Sequence, residues 1–116
     1  MKQQYLKQLK FSEEYFKLEL DEFTTIRGKN YPLFEGDVVE IVVKGAILFK
    51  AKVTGIYIRK IKDISLSLLQ IDGEYPGYEI HSHDDFLKLL RRFWRYQKID
   101  LETEVKIIFL KKIEEA

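Results

Sequence analysis

Four stretches of the chain have β-strand patterns. Apolar and polar residues alternate, or β-branched residues cluster, in residues 23–27, 38–43, 47–61 and 104–111, and each stretch is predicted to be a strand. Lys44 and Gly45 separate two of these stretches and predict a tight hairpin turn. Gly55 interrupts the alternation of the longest stretch, which predicts a bulge or bend there. Residues 5–11 fit either a first strand or a frayed lead-in.

Two short helices are predicted between these strands. Ser12 offers an N-cap, followed by acidic residues in the first turn, for a helix that runs to about Leu20. Asp63 is predicted to cap a second helix over residues 64–71, which Asp72 and Gly73 would end.

The longest predicted helix begins near Ser82. Ser82 and Asp85 have the spacing of a capping box, in which side chains satisfy the first free N–H groups of a helix. An apolar stripe then recurs at helical spacing and predicts the buried face. Its members are Phe86, Leu87, Leu90, Phe93 and Trp94.

These elements predict an α+β fold, a curved, mostly antiparallel β-barrel of about five or six strands with two or three packed helices. The 116 residues, 46% of them hydrophobic, suit one compact domain.

The composition also limits the possible functions. With a formal net charge of +1, any affinity for nucleic acid would need a local basic patch. The absence of cysteine excludes disulfides and a cysteine nucleophile. No apolar run is long enough to span a bilayer and the start has no apolar signal core, so we expect a cytoplasmic protein without a membrane partner.

A polar face on the strand predicted for residues 23–27 is a candidate site. Thr25 and Arg27 are two residues apart, so an extended chain places a hydroxyl and a guanidinium on the same side. That combination suits an anion. The alternative is a threonine paired across the sheet and an arginine in a structural ion pair with Glu22 or Glu35.

A basic surface on the longest helix is a second candidate. Lys88, Arg91, Arg92 and Arg95 are interleaved with aromatic residues, as in surfaces that contact phosphates and unpaired bases. An equally open alternative is that cations favour the C-terminal half of a helix while the aromatic residues face the core.

Two histidines near the start of this helix raise the question of a metal site. His81 and His83 are followed by Asp84 and Asp85, and imidazoles and carboxylates are common ligands. However, Ser82 and Asp85 are already accounted for as a cap, and histidines two residues apart at a helix start diverge. We therefore expect no metal and no cofactor.

The order and spacing of the elements resemble the ASCH family of the PUA-like superfamily over about residues 10–112. The matching segments are Thr-Thr-Ile-Arg at 24–27, Phe-Glu-Gly-Asp-Val-Val-Glu-Ile at 34–41, Lys-Ala-Lys-Val-Thr-Gly-Ile at 50–56, Lys-Ile-Lys-Asp-Ile at 60–64, Ile-Asp-Gly at 71–73, the helix from Ser82 and Glu-Val-Lys-Ile-Ile-Phe at 104–109. The resemblance implies a small curved barrel with a ligand cleft facing it.

The family also implies RNA binding and, in some members, amide hydrolysis of acetylated cytidine or ribonuclease activity. In the amidohydrolase members, a lysine three residues before a threonine acts with that threonine and a later carboxylate. In this chain the pattern places the threonine at Thr25, the carboxylate at Asp72 and Glu22 in the position of the lysine. If the chain is an enzyme, these three are its catalytic candidates, with Glu22 as the base or with Lys29 supplying an amine from the loop.

The preferred expectation is a module that binds RNA or a modified nucleotide. In it, Arg27 and Lys29 contact phosphate, Thr25 donates a hydrogen bond and Tyr31 or Tyr75 stacks on a base. The alternative is a small amidohydrolase or ribonuclease that uses the same cleft.

A third expectation is a protein-interaction module with a homodimer patch. The residues proposed for that patch are Leu48, Tyr57 and Tyr78.

Overall fold

A computed structural model describes residues 6–93 and 98–113. One five-stranded sheet forms its centre. The strands are β1 (Lys7–Phe11), β2 (Glu22–Gly28), β3 (Val38–Val43), β4 (Ala46–Lys60) and β5 (Glu104–Ile113). Their order across the sheet is β1-β3-β4-β5-β2, with β1 parallel to β3 and the other pairs antiparallel.

The sheet curls into a half-barrel, and the α+β class and barrel-like shape expected from the sequence are confirmed. β1 and β2 are its two edges, yet a side chain connects them, because Arg27 Nη2 on β2 donates to the carbonyl of Lys10 on β1 at 3.0 Å. The sheet therefore approaches closure without backbone pairing at this seam.

The predicted turn and bulge are confirmed. Lys44 and Gly45 form the β3–β4 hairpin with φ of 50° and 85°, which matches a turn that requires two left-handed residues. The β4–β5 register shifts between Val53 and Gly55, as the interrupted alternation predicts. The bulge lies where the long strand β4 has to bend.

The first predicted helix is wrong in extent and type. Residues 12–15 are not helical, and only Phe16–Glu19 form a 3-10 helix, with no side-chain cap at Tyr15. Tyr15 and Leu18 both enter the core from this short connection between β1 and β2. Packing of these two side chains outweighs the capping preference of Ser12.

The second predicted helix is correct in place but not in its cap. Helix α1 is Leu66–Gly73, and Ser65 Oγ accepts a hydrogen bond from the N–H of Leu68. Asp63 instead ends a separate 3-10 turn, Ile61–Asp63. Asp63 and Ser65 lie within one turn of each other, and the side chain of either could cap the helix. Ser65 is the cap because Ile61 and Ile64, which precede it, are buried in the core.

Helix α2 is His83–Phe93, and its predicted cap at Ser82 is present, while the return bond of the predicted capping box goes to the N–H of His81 and not to that of Ser82. The N–H of Asp85 donates to Ser82 Oγ at 3.2 Å, and the Asp85 carboxylate accepts from the N–H of His81 at 2.8 Å. Phe86, Leu87 and Leu90 are buried as predicted, and Leu89, which the prediction left out, is buried too. Phe93 was predicted on the buried face but is 44% exposed. Trp94 lies outside the described residues.

Buried apolar residues form two clusters. One cluster fills the curl of the sheet and includes Leu9, Ile41 and Leu110. The other joins the sheet to α1 and α2 and includes Leu69 and Phe86. Among the helices that the structure describes, none is long and apolar enough to cross a membrane.

Candidate functional site

A cavity of about 430 Å³ lies where the edge strands, the β3–β4 turn and both α-helices meet. Its volume falls within the roughly 300–1,000 Å³ that is usual for small-molecule sites. Thr25 and Arg27 on β2 and Asp72 in the last turn of α1 all line it, although they are far apart in the sequence. The structure thus brings together three of the residues that the sequence singled out.

Asp72 is the centre of a buried polar cluster at the deep end of the cavity. Its Oδ1 atom accepts a hydrogen bond from Lys17 Nζ at 3.1 Å and another from the Thr24 hydroxyl at 2.8 Å. Lys17, Thr24 and Asp72 are each less than 10% exposed. Both bonds end on Oδ1, and Oδ2 has no hydrogen-bond partner among the described residues, so one carboxylate oxygen is available to a ligand.

The Thr25 hydroxyl is oriented by Arg27. Arg27 Nε donates to Thr25 Oγ1 at 3.0 Å, which occupies one lone pair of that oxygen. The hydroxyl proton has no acceptor within the described part of the chain, so Thr25 can donate to a molecule in the cavity. Arg27 itself is held firmly, because its guanidinium lies over the rings of Phe11 (4.9 Å) and Tyr31 (5.3 Å).

Burial sets the electrostatics of the deep end. It lowers the pKa of Lys17 below its ordinary value of 10.5, while the neighbouring Asp72 carboxylate partly opposes that shift and Arg27 adds to it. Burial also lowers the pKa of Arg27 and raises the pKa of Tyr15 to about 12. Lys17 is therefore an amine that loses its proton more readily than a surface lysine.

The opposite wall of the cavity is apolar. α2 provides Phe86, Leu89, Leu90 and Phe93, and the last of these is half-exposed at the rim. Lys10 and Lys44, both exposed, also line the rim. A ligand would thus meet hydrogen-bonding groups at the deep end, an apolar wall along one side and cations at the entrance.

Four residues predicted for the site do not line this cavity. Glu22 is exposed at the start of β2, and Lys29 forms an exposed ion pair with Glu104 at 3.2 Å. Tyr31 packs against Arg27, and Tyr75 packs between Tyr15 and Tyr78. The structure therefore gives Glu22 and Lys29 no direct contact with the cavity, and it places Tyr31 in a supporting position behind Arg27.

The predicted basic surface lies on the other side of α2 from the cavity. Lys88, Arg91 and Arg92 are exposed and alternate at helical spacing with the cavity-lining residues. Arg91 donates to the carbonyl of Ile99, and Arg92 donates to the Tyr75 hydroxyl, each at 3.1 Å. Arg95 lies outside the described residues.

The histidines near the start of α2 are engaged in other contacts. His83 Nε2 lies 2.7 Å from the carbonyl oxygen of Ile64, and His81 lies 3.2 Å from Glu79. Within residues 6–93 and 98–113, no group of three or more His, Asp or Glu residues is arranged to hold a metal ion.

Comparison with known proteins gives a relative. The chain is 41% identical over 110 residues to "Uncharacterized protein MJ0364" of Methanocaldococcus jannaschii, an alignment that covers 91% of this chain and 96% of that protein. The chain belongs to the same family as this archaeal protein. No family model matches the chain, and no solved structure matches it. The name of this relative states no activity.

Lys17 and Thr24 are the site residues that sequence reasoning missed. Thr24 was expected on the face of β2 opposite Thr25, and Lys17 lay inside a predicted helix with no role assigned to it. The flanking Phe16 and Leu18 did not signal burial of Lys17, because lysine is rarely buried and Phe16 is itself 54% exposed. The partner of Lys17, 55 residues away, had no local signal.

Proposed function

We propose that the protein is a nucleotide-binding module of the ASCH, PUA-like type that takes a nucleobase or modified nucleoside into the cavity. The observation that carries the proposal is the convergence of the Thr25 hydroxyl, Arg27 and Asp72 on one cavity with an apolar opposite wall. These are the residues that the ASCH resemblance assigns to ligand contact or catalysis.

The deep end offers both kinds of hydrogen-bonding group that a base edge needs. Thr25 presents a hydroxyl proton, and Asp72 presents a carboxylate oxygen. A pyrimidine such as cytosine carries a carbonyl acceptor and an amino or amide donor on one edge, so both protein groups find a partner. Phe86 and Phe93 on the apolar wall provide aromatic surface for the flat base.

RNA contact by the basic face of α2 is a separate part of the proposal. Because Lys88, Arg91 and Arg92 face away from the cavity, they would hold phosphates of a longer strand and not the nucleoside inside. The two contributions can therefore be measured independently.

Titration calorimetry with N4-acetylcytidine and cytidine tests the cavity. We expect Thr25→Val, which keeps the shape of the side chain, to weaken binding about tenfold, the loss of one buried hydrogen bond. Thr54→Val is the matched control, because Thr54 is exposed on β4 and does not line the cavity. Absence of binding by both nucleosides, or equal losses in the two variants, would rule out this site.

Single-stranded RNA at low salt tests the helix. We expect Arg91→Ala combined with Arg92→Ala to weaken RNA binding and to leave N4-acetylcytidine binding unchanged. If the wild-type protein binds RNA no more tightly than a neutral protein of equal size, the proposed RNA contact is wrong. The proposal of nucleoside binding in the cavity would still stand.

Lys17 favours a second candidate function, amide hydrolysis. The ASCH amidohydrolases use a lysine in the position of Glu22, and here a different lysine lies in the cavity with a lowered pKa. In this scheme Lys17 first gives up its proton, which its lowered pKa favours. The resulting amine then takes the proton of the Thr25 hydroxyl while Thr25 Oγ1 attacks the amide carbonyl carbon. The departing amine takes that proton, and water then releases the acyl group from Thr25 as the acid.

Release of acetate and cytidine from N4-acetylcytidine, followed by chromatography, tests this candidate. We expect Thr25→Val to abolish release and Lys17→Arg to abolish it as well, because arginine keeps the positive charge but does not deprotonate. Thr54→Val again serves as the control. Binding of N4-acetylcytidine without any release would mean that the cavity binds and does not catalyse.

A further inference from the structure

We propose that the rim of the cavity is a phosphate site formed by Lys10 and Lys44, so that the cavity takes a phosphorylated nucleotide in preference to a nucleoside. This inference rests on the function proposed above and specifies its ligand. We place the phosphate at the rim and not at the deep end, because the Asp72 carboxylate at the deep end would repel it.

Lys10 and Lys44 are brought to the rim by the fold. Lys10 lies near the end of β1, and Lys44 is the first residue of the β3–β4 turn. The N–H of Lys44 donates to the carbonyl of Phe11 at 3.2 Å, which ties the turn to the end of the strand. Both side chains line the same cavity.

No acidic side chain within residues 6–93 and 98–113 forms an ion pair with Lys10 or Lys44. Four other exposed lysines are paired with acidic partners, whereas Lys52 and Lys111, like Lys10 and Lys44, have no ion pair among the described residues. The pairs are Lys7 with Asp37, Lys29 with Glu104, and Lys60 and Lys62 with Glu102.

The charges of the residues that line the cavity also favour an anion at the rim. The described residues around the cavity include the cations Lys10, Lys17, Arg27 and Lys44 and the single carboxylate Asp72. Asp72 is already paired with Lys17, so it does not cancel the positive rim. A protein with a net charge of only +1 thus concentrates positive charge at this entrance.

A terminal phosphate suits this rim. It carries a charge of about −1.5 to −2 at pH 7 and offers three acceptor oxygens, and lysine ammonium groups bind phosphate as point charges. With the phosphate at the rim, the base extends inward along Phe93 and Phe86 toward Thr25 and Asp72. One molecule can therefore satisfy the cations, the apolar wall and the deep end together.

Calorimetry at low salt with the full chain compares each of the four common 5′-mononucleotides with its nucleoside, and N4-acetylcytidine with its 5′-monophosphate. For the base that binds best, we expect the nucleotide to bind at least about tenfold more tightly than the nucleoside. In Lys10→Gln combined with Lys44→Asn, this ratio should fall close to one while nucleoside affinity is kept. Asparagine suits position 44, because it tolerates the left-handed conformation there.

Lys52→Gln combined with Lys111→Gln is the matched control. These exposed lysines face each other across β4 and β5, away from the cavity, and their replacement removes the same charge. We expect the control to keep the wild-type ratio. An equal fall in both double variants would mean that net charge, and not the rim, governs the preference, and the inference would be wrong.

The outcomes separate the inference from the proposed function. Equal affinity for nucleotide and nucleoside overturns the phosphate site and leaves nucleoside binding standing. If neither binds, both the phosphate site and the proposed function are wrong.

A trinucleotide RNA with and without a 5′-phosphate identifies the source of the phosphate. Tighter binding of the phosphorylated trinucleotide than of the mononucleotide indicates an RNA end, and the reverse indicates a free nucleotide.

Discussion

Lys17 has an unusual environment for a lysine. Lysine is rarely fully buried, yet Lys17 is 3% exposed, with Asp72 at 3.1 Å and the rings of Phe11 and Tyr15 each 5.1 Å from its Nζ. Removal of two charges from water costs several kcal/mol per ion, and the ion pair offsets that cost only while both partners remain. The Lys17–Asp72 pair therefore adds little to the stability of the fold, but it requires both side chains to stay in place.

The pair predicts non-additive effects of mutation. Lys17→Met should destabilise the fold by about 3–5 kcal/mol, because it leaves the Asp72 carboxylate buried without a cation. Lys17→Met combined with Asp72→Asn should recover a large part of that loss, since asparagine is neutral and still accepts from Thr24. Urea unfolding of the two single variants and the double variant measures the coupling, and additive losses would contradict the view of a coupled pair.

At the scale of elements, Gly73 determines how closely the end of α1 approaches α2. A Cβ built on Gly73 would lie 2.7 Å from Ile80 Cδ1, 3.0 Å from Leu89 Cδ2 and 3.2 Å from Phe86 Cε1. Asp72 precedes Gly73 and shares the same last turn. The close packing at this glycine therefore also fixes the position of the carboxylate in the cavity.

Gly73→Ala should therefore destabilise the protein by about 1–3 kcal/mol, the usual cost of overpacking. Gly28→Ala is the control, because a Cβ on Gly28 would meet nothing within 4 Å. Thermal unfolding of both variants makes the comparison. A Gly73→Ala protein as stable as Gly28→Ala would show that α1 can shift away from α2 at no cost.

Asp37, in the turn before β3, should make the stability of the protein depend on pH. Asp37 Oδ2 accepts from Lys7 Nζ at 2.8 Å and from the N–H of Phe34 at 2.9 Å, and these bonds lower the pKa of Asp37 below its ordinary value of 3.8. A carboxyl whose pKa is lowered by folding stabilises the fold above its unfolded pKa. That contribution is lost as the pH falls through the lowered pKa.

Asp37→Asn should thus lower stability at pH 7 by roughly 0.5–1 kcal/mol, because the ion pair is partly exposed and screened by solvent. The difference from wild type should close as the pH falls below about 3.8. Urea unfolding across pH 2–7 measures both quantities. If the stability difference between wild type and Asp37→Asn does not change with pH, the hydrogen bond to the N–H of Phe34 causes it, and not the charge of Asp37.

At the scale of the whole molecule, the two apolar clusters share one sheet. Strand β5 contributes Leu110 to the cluster inside the curl and Val105 to the cluster under the helices. The ring of Tyr75 packs against both clusters. Loss of packing on either face should therefore loosen the other.

Leu110→Ala and Leu69→Ala test this coupling from opposite faces of the sheet. Each should lower the free energy of unfolding by about 2–5 kcal/mol, because each empties a fully buried site. Far-UV and near-UV circular dichroism should report a single coincident transition in both variants. Separate transitions in Leu69→Ala would show that the helical layer unfolds independently.

Most strands and turns could be predicted because their signals are local. The alternation in β5, the Lys44-Gly45 hairpin, the interruption at Gly55 and the cap at Ser82 each depend on a few adjacent residues. The β-branched run of β3 favours strand by side-chain geometry alone. Local rules failed for the helix expected after Ser12, where burial of Tyr15 and Leu18 decided the conformation.

The sequence by itself determined the α+β class, most strand positions and three residues of the cavity, Thr25, Arg27 and Asp72, two of them from the polar face of β2 and the third through the family resemblance. The tertiary structure alone decided that Lys17 meets Asp72 and that Lys10 and Lys44 share the cavity rim. It also decided that Glu22, Lys29, Tyr31 and Tyr75 lie off the cavity. The physical reason is that contacts between distant segments depend on the curl of the sheet and on side-chain packing, which leave no periodic pattern in the chain.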